Sequence, residues 1–303
     1  MLLVLGFGSG CSVRHYAISK LGDALAQSGS TFASDNDPEL VRQAVPFSLK
    51  LIEGLLAENP RHQGLLLAAA RGFTQYSYAF VQEEADETEP RDLKAANTMR
   101  DRARGLYLRA CQYGMRSLEL RYRDFEKGLR RNAQAELGQV RKTDVASLYW
   151  TAVAWAAAIA VGIDQPDLVA DLPLAEAMLD RALALDADYD AGALHEFMIA
   201  FEFARRGKTD DPIIRARQHF DRVMELSGGH RAGPLVSLAE NVSVTRQDAA
   251  EFKSLLAQAL AVDVNARPEW RLENLVMQRR ARWLMSRVDD LFLILDQTPE
   301  KAQ

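Results

Sequence analysis

LAEAMLDRALALDADYDAGALHE, residues Leu174 to Glu196, reads as a helix, a tight turn and a second helix. Ala175, Leu179 and Ala182 fall at i, i+4 and i+7, so small and bulky apolar residues share one helical face. Leu185-Asp186-Ala187-Asp188-Tyr189-Asp190 interrupts that pattern with short polar side chains that favour turns and N-caps. Apolar helical spacing resumes from Ala193 to Phe201.

The same template, with a turn residue at i+12, recurs at four other places: Ser48, Ile52, Leu55 and Pro60; Ala103, Tyr107, Ala110 and Met115; Ala216, Phe220, Val223 and Gly228; and Phe252, Leu256, Ala259 and Val264. The turn positions 187, 228 and 264 are separated by 41 and 36 residues, near the ~34-residue period of tetratricopeptide repeats. A stripe of Ala and Leu at this spacing also suits the core of any helical bundle. The shared turn offset favours an all-α chain of tetratricopeptide-like helical hairpins stacked into a compact α-solenoid, one domain over residues 11–303.

With 48% hydrophobic and 26% charged residues, the chain has the composition of a globular protein with a substantial core. A formal net charge of −5 points away from nucleic acid, whose binders concentrate basic surface. The uncharged start MLLVLGFGSG precedes Cys11-Ser12 and has the small residues that a lipoprotein signal places before its modified cysteine. Residues 1–10 are accordingly expected to be the remnant of such a signal and Cys11 the lipidated residue. Cys111, the other cysteine, suits a helix core.

Asp37-Pro38-Glu39 is an N-cap, a proline at the first helical position and an acid in the first turn. The helix it starts should break before Pro46, and a second should run to Glu58. Phe73, Tyr76, Tyr78 and Phe80 make an aromatic cluster followed by an acidic loop, Glu83 to Asp92. Residues 116–142 form a polar, basic helical stretch with Leu118, Tyr122, Phe125 and Leu129 on one edge. Ala146 to Val161 is uncharged, but at 1.5 Å per residue it spans about 24 Å against a bilayer core of about 30 Å. It is expected to be a buried central helix. Phe73, Tyr76, Tyr149, Trp150 and Trp155 are the candidate walls of an internal apolar cavity, with plain core packing as the alternative. A turn is expected at Arg205-Arg206-Gly207-Lys208, with a new helix from Asp211-Pro212.

Chemistry is sparse. The five histidines are scattered, His195-Glu196 has no second His four residues on, and no nucleophile elbow, kinase loop or Rossmann glycine signature is present. The sequence therefore predicts no catalytic residues, no metal site and no cofactor.

Six blocks in order, FASDNDPELVR (Phe32 to Arg42), PFSLKLIEGLL (Pro46 to Leu56), GFTQYSYAFVQEEAD (Gly72 to Asp86), DVASLYWTAVAW (Asp144 to Trp155), GPLVSLAENVSV (Gly233 to Val244) and RLENLVMQRRARWLM (Arg271 to Met285), resemble the T-component (TatT) family of tripartite ATP-independent periplasmic (TRAP) transporters. The resemblance implies a periplasmic, lipid-anchored, all-helical tetratricopeptide-type protein that docks the solute-binding protein of the transporter. It also implies oligomerisation and a path or pocket for an apolar ligand. Asn274, Arg279 and Arg280 in the last block are expected to be structural, satisfying turn carbonyls and carboxylates of neighbouring helices. The competing reading is a generic tetratricopeptide scaffold lipoprotein that mediates protein–protein contacts in the cell envelope.

Overall fold

A computed structural model describes residues 20, 22–23, 29–205 and 209–293. Every regular element among them is helical. The longer helices are α1 (Pro38–Glu58), α2 (Gln63–Tyr76), α3 (Leu93–Glu119), α4 (Phe125–Arg131), α5 (Ala133–Gly138), α6 (Val145–Val161), α7 (Leu172–Leu185), α8 (Tyr189–Phe201), α9 (Pro212–Ser227), α10 (Gly233–Leu238), α11 (Ala249–Ala261) and α12 (Arg271–Met285). They fall into two compact units, Met1–Ala187 and Asp188–Gln303. The all-α expectation holds. The template residues mark buried faces: Ala103, Ala110, Ala175, Leu179, Ala182, Ala216, Val223, Phe252, Leu256 and Ala259 are all fully buried. Such a face is what any helix layer requires, and burial by itself does not define tetratricopeptide stacking.

In the N-terminal unit α2 packs against α1 and α3, and α6 lies against α2, α3 and α7. The first helix begins as its residue types dictate. Asp37 accepts from the backbone N–H groups of Glu39 and Leu40, both at 3.0 Å, and Pro38 occupies the first turn, where no N–H is needed. It does not break at Pro46, contrary to expectation, and runs unbroken to Glu58. Val41 on one side of the proline and Leu49, Ile52, Leu55 and Leu56 on the other are buried on one face. That continuous packing outweighs the single ladder hydrogen bond a proline removes.

The expected acidic loop is also helix. The chain continues from α2 through a π-helical turn, Ser77–Gln82, into the helical segment Glu83–Thr88. Buried hydroxyls at the junction find partners one turn back, Thr74 on the carbonyl of Ala70 at 2.7 Å and Ser77 on that of Phe73 at 2.6 Å. The basic stretch is divided: α3 ends at Glu119, Asp124 takes a left-handed conformation (φ 55°), and α4 and α5 follow. Leu118, Phe125 and Leu129 remain its buried edge.

Helix α6 is the buried central helix that its composition predicts. Length and hydropathy would let Lys142–Val161 cross a membrane, but most of that stretch is buried within the unit. α3 approaches it closely at Gly114, where an added Cβ would lie 2.1 Å from Thr151 Oγ1 and 3.1 Å from Thr151 Cα. Only glycine permits that crossing.

In the C-terminal unit α8 packs on α9 and α10, and α11 on α10 and α12. Their shared core contains Ile199, Val223, Val236, Val242, Phe252, Leu256, Met277 and Ala281. Asp211 caps α9 by accepting from Ile213 N–H at 2.9 Å. Gly228 ends that helix in the left-handed conformation (φ 60°), as the template's turn residue should. The turn expected at 205–208 lies, beyond Arg205, outside the described residues.

Candidate functional site

Three features stand out: an aromatic layer around α6, an open depression on α3 and two buried charge clusters in the C-terminal unit. The aromatic layer gathers the cavity candidates. Tyr149 and Trp150 meet edge to face with centroids 5.0 Å apart, and the Arg71 guanidinium from α2 sits over Trp150 at 5.8 Å. Tyr76 contacts Phe80 at 5.7 Å, while Trp155 is covered by Arg130, 5.4 Å from its ring. Phe73 stacks on Tyr113 at 6.0 Å, and the Arg109 guanidinium lies 5.2 Å from the Phe73 ring. All five candidates are buried. They are distributed along α2 and α6.

Phe73 is the one whose ring partner reaches open space. A depression of about 480 Å³ runs along α3, lined by Gly105, Leu108, Arg109, Gln112, Tyr113 and Arg116. Its polar edge is fixed by Glu53 of α1, which accepts from Tyr113 at 2.7 Å and pairs with Arg109 at 2.5 Å. Burial works to raise the Glu53 carboxyl, but Lys50, Tyr113 and Arg109 together hold it below the usual range. The depression therefore presents a polar edge fixed by Glu53 beside one aromatic ring, that of Tyr113.

The first charge cluster centres on Glu202, 1% exposed, which pairs with Arg205 at 2.9 Å and Arg215 at 2.5 Å. Its third partner is His219 Nε2 at 3.5 Å. Burial would raise the Glu202 carboxyl, but these three donors hold it at about 2. His219 Nδ1 is 2.8 Å from His195 Nδ1. The two Nδ1 atoms share one proton, which leaves His195 Nε2 as the ring nitrogen turned away from the pair. That Nε2 is buried and has no hydrogen-bond partner. Burial, then His219 and Arg222, push His195 down to about 4, so His195 is neutral near pH 7.

The second cluster centres on Arg231, 5% exposed. It holds Glu273 through two 2.9 Å hydrogen bonds, meets Glu196 at 3.0 Å and donates to the Asp190 carbonyl at 3.3 Å. Trp270 lies beneath its guanidinium at 5.7 Å. Glu196 is pushed up to about 7 by burial, against the pull of Arg231, with Glu273 and Asp190 adding to the rise. Gly233 leaves the space Glu196 occupies, since a Cβ there would meet Glu196 Oε1 at 1.9 Å.

Asn274 accepts from Ala232 N–H at 2.8 Å and donates to the His230 carbonyl at 2.9 Å. Arg280 pairs with Glu240 at 2.7 Å and covers Trp283 at 4.5 Å; Arg279 lies on the exposed side of α12. Cys11 lies outside the described residues. Sequence reasoning missed Gln278, whose amide donates to the carbonyls of Ala259, Leu260 and Val262 and so closes the end of α11. A signal existed: Asn274, Gln278 and Ala281 follow i, i+4, i+7 spacing, placing two amides on a buried face. Arg231 gave no such signal. Burial pushes the Cys111 thiol up to about 12, so it stays protonated. No cluster of three or more metal-ligating side chains occurs among the described residues.

A family model for the TRAP transporter T-component matches residues 34–292, spanning parts of both units. The chain belongs to that family. It is also 31% identical over 306 residues to an uncharacterized protein of Treponema pallidum (strain Nichols), with 94% of each chain covered. As a T-component it is an accessory part of a TRAP transport system at the cell envelope, and the family is not one of enzymes.

Proposed function

We propose that this T-component docks the periplasmic solute-binding protein of its TRAP system through its helical surface, tethered to the membrane by lipid on Cys11, and offers an apolar ligand a binding place. The family match over residues 34–292 carries this reading. The α3 depression supports the ligand part, because Tyr113 on its lining stacks on the buried Phe73. Polar residues at its edge and the Tyr113 ring beside them suit an amphiphile with a carboxylate near Arg109 or Arg116.

The test is calorimetry with the solute-binding protein of the same TRAP system. Association with Kd on the order of 1–10 µM, about −7 to −8 kcal/mol, is expected. No heat at protein concentrations well above that range overturns the docking. A titration of tryptophan fluorescence with medium-chain fatty acids addresses the ligand separately; a response lost in Tyr113→Ala supports the depression, and a silent titration removes it. Detergent partitioning that is unchanged by Cys11→Ser overturns the anchor.

A further inference from the structure

The backbone at the start of α8 does something its residue types do not ask for. Asp190 (φ 47°, ψ 50°), Ala191 (φ 50°, ψ 39°) and Gly192 (φ 94°, ψ 18°) are three successive residues in the left-handed region. Glycine adopts that region freely, and an aspartate visits it singly; alanine, the best right-handed helix former, is disfavoured there. Left to local preference, Asp188 would cap a right-handed helix running from Tyr189 into Ala193.

The left-handed turn is held from outside. Arg231 donates from Nη1 to the Asp190 carbonyl at 3.3 Å, while Glu273 holds its Nε and Nη2 at 2.9 Å and Glu196 meets Nη2 at 3.0 Å. Gly192 is pressed against α9, where a Cβ would lie 3.1 Å from Val223 Cγ2 and 3.2 Å from Leu226 Cδ1. On the other side Asp188 pairs with Arg222 at 2.6 Å. Strain of this kind persists only where surrounding contacts over-determine it.

We propose that Asp190–Gly192 is a two-state segment, latched left-handed by Arg231, that rewinds into right-handed helix and extends α8 at its N-terminal end when the latch is released. The two states are opposed in a simple way: tertiary contacts favour one, and residue preference favours the other. Arg231 is buried and shared between Glu196 and Glu273, so a change at either carboxylate acts on the latch.

A double-mutant cycle on the full chain tests this, because glycine and alanine reverse their order between the two states. Ala191→Gly in the native background removes left-handed strain and is expected to raise the urea midpoint. In an Arg231→Met background the segment has rewound, so the same Ala191→Gly places glycine inside a right-handed helix and is expected to lower the midpoint. If Arg231→Met does not fold, Arg231→Lys serves as the released background, since lysine cannot keep the two-armed grip on Glu273. Crystal structures of the native and released forms read φ at residues 190–192 directly. A change of sign with φ turning negative supports the latch. Ala191→Gly acting with the same sign in both backgrounds, or positive φ retained after release, overturns it.

Discussion

The close crossing of α3 and α6 at Gly114 gives a sharp quantitative test. Gly105 and Gly114 both lie within α3, and glycine inside a helix is about 1 kcal/mol worse than alanine. At Gly105 an added Cβ meets nothing within 4 Å, so Gly105→Ala should stabilise by about 0.5–1 kcal/mol. At Gly114 the same atom would lie 2.1 Å from Thr151 Oγ1, 2.9 Å from its Cβ and 3.1 Å from its Cα. Carbon atoms in contact sit about 3.5–4.0 Å apart. Thr151 cannot simply turn away, because it is fully buried, its hydroxyl donates to the Ser147 carbonyl at 2.5 Å, and its own backbone is part of the obstruction. Separating α3 from α6 should cost about 3 kcal/mol, the upper part of the range for overpacking, and the gain in helix preference offsets about 1. Gly114→Ala is therefore expected to destabilise by about 2 kcal/mol, opposite in sign to its neighbour nine residues earlier. Urea unfolding followed by fluorescence and by far-UV circular dichroism measures both. Adding Thr151→Ala should recover only part of the loss, since the obstruction at Cβ and Cα remains. If Gly114→Ala stabilised the protein as Gly105→Ala does, the close approach of α3 to α6 would be refuted.

Ala182 is fully buried on α7, so Ala182→Leu should lower stability by about 1–3 kcal/mol; an unchanged urea midpoint would show that face to be solvated. The pH response of the C-terminal unit should contain two opposing parts. His195, lowered to about 4 from an ordinary 6.5, contributes stability present above pH 6.5 that is lost as the pH falls toward 4. Glu196, raised to about 7 from 4.5, binds its proton more tightly when folded, so its contribution is present below pH 4.5 and lost as the pH rises toward 7. Glu196→Gln should accordingly steepen the loss of stability between pH 6.5 and 4, and His195→Gln should expose a gain over the same interval. Parallel stability profiles for wild type and both variants would contradict these charge assignments.

The fold class was legible because α-helical periodicity is a local signal. Ala175, Leu179 and Ala182 lie on one buried face for the same reason that they lie at i, i+4 and i+7. The caps were legible for the same reason: Asp37 and Asp211 each bond N–H groups two or three residues on. What failed depended on partners far along the chain. Pro46 reads locally as a break, and only the burial of Val41 and Leu49 on either side keeps α1 whole. Glu83 to Asp92 reads as a loop because acids dominate it, yet Glu83 is 1% exposed. The left-handed turn at Asp190–Gly192 contradicts its own residue preferences, and its cause, Arg231, stands 41 residues beyond Asp190.

The six family-like blocks have a physical content that their sequences alone do not reveal: several are packing partners of one another. Arg42 in the first block pairs with Glu84 in the third at 2.5 Å, and Leu49 in the second fills the space that Gly72 leaves. Trp150 in the fourth block is covered by Arg71, next to the start of the third. Arg280 in the last reaches Glu240 in the fifth, while Asn274 bonds Ala232 immediately before that block. Residues that meet across a helix crossing are constrained by one another's shape and charge, whereas residues that face water are not. Part of the signature therefore lies where helices close on each other. Packing does not account for every position, however: Leu40 and Phe47 within the first two blocks are more than half exposed, as are Leu93, Ile163 and Ile214 outside every block, so the blocks combine crossing residues with apolar surface.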